Sequence, residues 1–113
     1  MNCVACPAPA VQRHHVVYEQ ELRRLWRHAE RRGLPIHSLA ALTSDARNIV
    51  PVCMRCHARH HSAFKPLPLR ALPDSVFEFA ADVLGAEPAY EYLRRRYENP
   101  DSRLGALLFR DAA

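Results

Sequence analysis

Four cysteines and a group of histidines are the residues of this sequence whose types and spacing could do chemistry. Cys3-Val4-Ala5-Cys6 and Cys53-Met54-Arg55-Cys56 are two matched Cys-x-x-Cys pairs. The two-residue spacer of each pair lets both thiolates face one ion, and two such knuckles supply the four sulfurs of a tetrahedral zinc site. The pairs use every cysteine in the chain. With no ligand position left open for water, the zinc is expected to be structural, tying the N-terminus to the segment around Cys53. A single pair would equally suit a thiol redox motif, but two matched pairs in a chain of 113 residues favour metal. Adaptors and DNA-binding modules use the same device, so the cysteines alone say nothing of catalysis.

The histidines must carry any further function. His14-His15 follows the first knuckle, and the second runs directly into His57-Ala58-Arg59-His60-His61. On a helix, His57 and His61 stand four residues apart on one face and could share a divalent ion, with His60 the competing partner at three. The plainer alternative is that all three are solvated helix residues. Adjacent residues of a strand point to opposite sides, so His14 and His15 serve one phosphate together only from different directions or on a distorted strand. Asn48 opens the β-branched run Ile49-Val50-Pro51-Val52, where an Asn is also ordinary turn chemistry.

Taken in order, the His14-His15-Val16 strand, Asn48 before a second strand, and the Cys-x-x-Cys-His-x-x-x-His helix from Cys53 to His61 resemble the HNH endonuclease family, in its branch with a four-Cys zinc. The resemblance covers roughly residues 3 to 63. It implies an α+β fold with a ββα-metal (His-Me finger) core: a β-hairpin carrying the first histidine, an often irregular connection, and a helix completing the catalytic metal site. It also implies roles. His15 is the general base, His14 a metal ligand beside it, and Asn48 the residue that fixes the loop bearing the catalytic histidine through amide bonds to backbone. His57 and His61 complete the metal site, and His61 is preferred to His60 by its spacing from Asn48. The stretch from His15 to Asn48 is long for the family.

The activity so implied is hydrolysis of DNA phosphodiester bonds, with double-stranded DNA as partner. His15 accepts the proton of the attacking water while a backbone carbonyl holds its other nitrogen. One divalent ion on His14, His57 and His61 acts as Lewis acid toward a nonbridging phosphate oxygen and the leaving 3′ oxygen. Imidazole ligands suit Mn²⁺, Ni²⁺, Co²⁺ or Zn²⁺ better than Mg²⁺. Arg13, Arg55 and Arg59 flank the motif as candidate phosphate contacts, whereas Arg94-Arg95-Arg96 reads as a solvated helix face. The rival reading is a noncatalytic zinc module that binds DNA or a protein. Phage packaging or mobile-element machinery, in a bacterial or phage-infected cell, is the setting the resemblance suggests.

The elements that must position these residues are short. Leu22, Leu25, Trp26 and Ala29 form an i, i+3, i+4, i+7 stripe, predicting an amphipathic helix over about 18–32 that Gly33 and Pro35 stop. A helix is expected to begin near His57. After the Pro66 to Pro73 stretch the chain has neither Cys nor His. Residues 67–113 therefore read as a helical extension of the nuclease core at 1–66 within one domain. Asp74 or Ser75 is expected to cap a helix ending at Gly85, Pro88 to open another through Tyr97, and Asp101 to precede a third.

Composition fits a small domain that needs a staple. The chain is 49% hydrophobic, carries nine prolines and has a formal charge of +4, with fifteen arginines and a single lysine, Lys65. A polyanionic partner agrees with that charge without requiring it. Met1 to Pro9 has no basic n-region or apolar h-region, and no apolar run approaches the roughly 20 residues of a membrane helix. An unexported, cytoplasmic protein with no membrane partner is expected.

Overall fold

The computed structural model describes residues 1–31, 38–62 and 65–97. It is a small, compact α+β fold with one two-stranded antiparallel sheet and, among the described residues, five α-helices. Strand β1 (Gln12–His15) pairs with β2 (Ile49–Val52) in the register Gln12 to Val52, Arg13 to Pro51, His14 to Val50 and His15 to Ile49. Opposite residues share a face and alternate residues return to it. Gln12 and His14 therefore lie on the face of Val50 and Val52, and Arg13 and His15 on the other. Pro51 has no N–H to give the ladder, but its carbonyl accepts from Val4 N–H at 2.8 Å, which draws the first knuckle along β2.

The connection between the strands is mostly helical. Helix α1 (Glu19–Arg31) has Glu19 and Glu21 in its first turn and His28 and Arg31 in its last, the charge order that its dipole favours. Leu22 and Ala29, two turns apart, are its buried residues. Helix α2 (Leu39–Ser44) starts at Ser38, whose hydroxyl accepts from Ala41 N–H at 3.1 Å. A 3₁₀ turn, Ala46–Asn48, then delivers Asn48 to the start of β2.

Helix α3 (Met54–His61) begins earlier than the expected start near His57. The reason is Cys53, whose Sγ accepts from Cys56 N–H at 3.4 Å and caps the helix, so the second knuckle is itself the first helical turn. Helix α4 (Asp74–Leu84) is capped by Pro73 without a side-chain bond, which leaves Asp74 as a first-turn acid rather than the cap. It ends at Gly85, where φ is +88°, a conformation that favours glycine. This turn leads straight into α5 (Ala86–Arg96), so Pro88 lies within the first turn instead of opening the helix. The Gly33 and Pro35 stop and the helix expected after Asp101 fall outside the described residues.

One apolar cluster draws on both sides of Pro66. Val16, Val17, Leu22, Val50 and Val52 meet Leu67, Leu69, Leu72, Val76, Phe77, Phe79 and Leu93, and all are buried. Arg47 bonds Asp45 and Asp82 and places its guanidinium 5.5 Å from the Phe79 ring centre, tying the turn that carries Asn48 to α4. No helix among the described residues is long and apolar enough to cross a membrane.

Candidate functional site

The four cysteines converge. Their sulfurs lie within 4.8 Å of one another. Two thiolates on one tetrahedral zinc, each about 2.3 Å from it, stand about 3.8 Å apart. Cys6 Sγ and Cys53 Sγ are 3.7 Å apart. In both knuckles a backbone N–H is aimed at the first sulfur, Ala5 to Cys3 and Cys56 to Cys53, each at 3.4 Å. Such donors favour thiolate. Burial, with the neighbouring sulfurs, pushes the Cys56 thiol up to about 12. An ion would have to overcome that, and four converging sulfurs are a donor set fit for zinc or a similar soft cation.

The second cluster joins β1 to the part of α3 that begins right after Cys56. His14, His57 and His61 bring one ring nitrogen each within 4.8 Å of one another. His57 Nε2 and His61 Nε2 are 3.1 Å apart. Two imidazole nitrogens on one ion at about 2.1 Å stand roughly 3.0–3.4 Å apart, depending on its geometry. The side chains around them decide which nitrogens are available. Gln12 Oε1 accepts from His57 Nδ1–H at 2.7 Å, so His57 keeps the lone pair of Nε2. Tyr97 donates its hydroxyl proton to the Val16 carbonyl at 2.6 Å and accepts from His14 Nε2–H at 2.8 Å. His14 is thereby left with a free lone pair on Nδ1. Burial, together with the fields of His60, His57, His61 and His15, holds the His14 imidazole down to about 3, so it is neutral near pH 7, as a ligand must be.

His60 has a different task. Its Nδ1 accepts from Leu67 N–H at 3.0 Å, so Nε2 carries the proton and donates to Tyr18 Oη at 2.7 Å. Both nitrogens are spent on the scaffold, joining α3 to the segment after it and to the entrance of α1. The i+3 partner is thus committed, and the i+4 partner, His61, faces His57.

His15 follows His14 but leaves the strand on its other side. Its Nε2–H donates to the Thr43 carbonyl at 2.8 Å, and Nδ1 lies 3.5 Å from the Glu19 carboxylate. The two neighbours nevertheless border one cleft of about 270 Å³, lined by Arg13, His14, His15, Tyr18, Glu19, His57 and His61. They reach it from different directions because β1 ends at His15 and the cleft lies over that end. Asn48 is fully buried and clamps the chain just beyond: Oδ1 accepts from Val17 N–H at 2.7 Å, and Nδ2 donates to Val17 O at 2.9 Å.

Of the arginines singled out by sequence, Arg13 lines this cleft. Arg55 and Arg59 are exposed on α3, and Arg59 borders a separate pocket beside Cys6 and Cys56. Two positioning residues escape a reading of the sequence. Gln12 has a usable signal, since a residue two before His14 on a strand shares its face. Tyr97 has only a weak one: a buried tyrosine hydroxyl needs a partner, but nothing local says that the partner lies 83 residues away. Comparison with known protein families, with curated proteins and with solved structures finds no match to this chain.

Proposed function

We propose that the chain is a metal-dependent endonuclease of the HNH type, in which β1, β2 and α3 form a ββα-metal core that hydrolyses phosphodiester bonds of double-stranded DNA. The observation that carries the reading is one cleft bordered both by three imidazoles and by a fourth histidine fixed for proton transfer. His15 commits Nε2–H to the Thr43 carbonyl, so Nδ1 is the nitrogen that accepts the proton of the attacking water. Glu19, at 3.5 Å from Nδ1, stabilises the imidazolium that results. Asn48 keeps the backbone after His15 from shifting, a geometric role. His14, His57 and His61 would hold one divalent ion, which supplies Lewis-acid stabilisation of charge on the phosphate and the departing 3′ oxygen. Three neutral imidazoles suit Mn²⁺, Ni²⁺, Co²⁺ or Zn²⁺ more than Mg²⁺. Arg13, which lines the cleft, would meet a phosphate.

The four cysteines play the structural part in this reading, holding zinc. Cys53 is both a ligand of that cluster and the cap of α3, so its order is passed directly to His57 and His61. The test is incubation of supercoiled plasmid with wild type and His15→Ala over a panel of divalent ions. Cleavage by wild type alone, with zinc content and fold equal in both proteins, is expected. Intact plasmid with every ion would make the chain a noncatalytic zinc module, and cleavage by His15→Ala at the wild-type rate would remove His15 as the base.

A further inference from the structure

A second groove runs beside the histidine cleft, between α1 and α5. It encloses about 500 Å³, and Arg23, Arg24 and Arg27 of α1 line it with Arg96 of α5, against a single acidic residue, Glu21. Arg27 stands four residues from Arg23 and three from Arg24, which brings the α1 arginines to one side of the helix. Glu21 is spent on Arg24, which it bonds through both carboxylate oxygens. Arg96 is held differently. Its guanidinium lies 4.1 Å from the Tyr92 ring centre and 5.8 Å from that of Tyr18, and among the described residues it makes no ion pair. Stacking uses the face of a guanidinium and leaves its N–H edge for an in-plane oxyanion. Tyr92 is itself anchored, its hydroxyl accepting from Tyr18 N–H at 2.9 Å.

Tyr18 lines both the groove and the histidine cleft, so the two adjoin. The basic pocket beside the cysteines, with Arg59 and Lys65, shares no residue with the cleft. We infer that the α1–α5 groove is the track along which the phosphodiester backbone of double-stranded DNA leaves the cleft, its phosphates bound by Arg23, Arg27 and Arg96. The inference rests on the nuclease reading for what occupies the cleft, and it assigns α1, within the connection between the strands, to holding substrate. The arginine run at 94–96 divides accordingly: Arg96 faces the groove, while Arg94 and Arg95 pair with Glu91.

The experiment is fluorescence anisotropy of a labelled duplex of about 20 base pairs, titrated with full-length protein without added divalent ion between roughly 50 and 300 mM NaCl. Wild type is compared with R23A/R27A/R96A, with R23E/R27E, which alters exposed side chains only, and with R94A/R95A, which removes charge from α5 outside the groove. Each lost phosphate contact lowers the slope of log K against log salt by about 0.9, so the triple variant should lose about 2–3 in slope and R94A/R95A almost nothing. R23E/R27E should bind at least tenfold more weakly, charge repulsion adding to the lost contacts. A wild-type slope and affinity in R23E/R27E, or an equal loss in R94A/R95A, would overturn the assignment. Hydrolysis of bis(p-nitrophenyl) phosphate by wild type with Mn²⁺ reports on the histidine cleft alone. Its absence, beside the predicted binding losses, would sink the nuclease reading and leave the groove as a DNA-binding surface.

Discussion

The two donor clusters of this protein share one eight-residue helix, on which Cys56 and His57 are neighbours, and they are built to opposite plans. The cysteine cluster is closed: four sulfurs face one another, two of their residues are buried, and backbone N–H groups support the knuckles. The histidine cluster is open. His14 is buried, but His61 is exposed and the three rings border a solvent-facing cleft. A closed donor set can only hold an ion, whereas an open one leaves room for something to bind beside it. The open cluster also depends on others for its order. Gln12, Tyr97 and Asn48 each fix a ring or the chain next to it, while the cysteine knuckles are ordered by backbone N–H bonds.

The sharpest way to break this comparison is Cys53→Ala, which removes a ligand and the sulfur cap of α3 together. A structural zinc contributes on the order of 10 kcal/mol, comparable with the whole stability of a small domain. Loss of zinc by elemental analysis and loss of the folded circular-dichroism spectrum are expected. A folded, zinc-free, active Cys53→Ala protein would contradict the structural assignment.

Asn48→Ala comes next. It strands the N–H and C=O of Val17 in a buried site, and two unsatisfied groups cost roughly 2–4 kcal/mol. The urea midpoint should fall and cleavage should be lost with it, while zinc stays bound. An unchanged midpoint would show that the clamp is dispensable.

Tyr97→Phe is milder and more selective. The ring still packs, but His14 Nε2 loses its acceptor and the Val16 carbonyl its donor. Groups of this kind are worth about 10–100-fold in metal affinity. Co²⁺ should bind the histidine cluster that much more weakly, with the cysteine-bound zinc unaffected. Equal Co²⁺ affinity in Tyr97→Phe would remove the tyrosine from the site.

Mild acid tests the buried histidines without any substitution. Burial, with the surrounding histidines, holds His14 down to about 3 and His60 down to about 4 in the folded protein, against an unfolded value of 6.5. The unfolded chain therefore takes up protons that the folded one refuses. Stability from these groups is fully present above pH 6.5 and is lost as pH falls from there toward 4 and then 3. The denaturation midpoint should drop between pH 7 and pH 5, with zinc content followed in parallel. A midpoint that stays level while zinc is retained would contradict the buried, neutral state of the two rings.

What the sequence makes legible follows the range of the interaction. Cys-x-x-Cys knuckles and the i, i+4 histidines are local, so spacing alone brings their donors together. The amphipathic stripe of Leu22, Leu25, Trp26 and Ala29 likewise suffices for α1. The start of α3 is mistaken by three residues because no helix-capping preference includes a cysteine, and Cys53 caps through its sulfur. The tyrosines escape for the opposite reason. Tyr97 reads as one more apolar position at the end of α5, and only the tertiary fold gives its hydroxyl a histidine and a carbonyl. The adjacent His14 and His15 look incompatible on a strand until the strand is seen to end between two supports, Tyr97 on one side and Thr43 on the other.

The central claim is that one helix carries two metal sites with separate duties, and metal stoichiometry addresses it most directly. Protein purified without chelator, assayed for zinc and then titrated with Co²⁺, should hold zinc at the cysteines and take up a second ion at the histidines. His57→Ala should keep the zinc and lose the second uptake. A protein that never binds the second ion, or a His57→Ala variant that binds it as wild type does, would contradict the account.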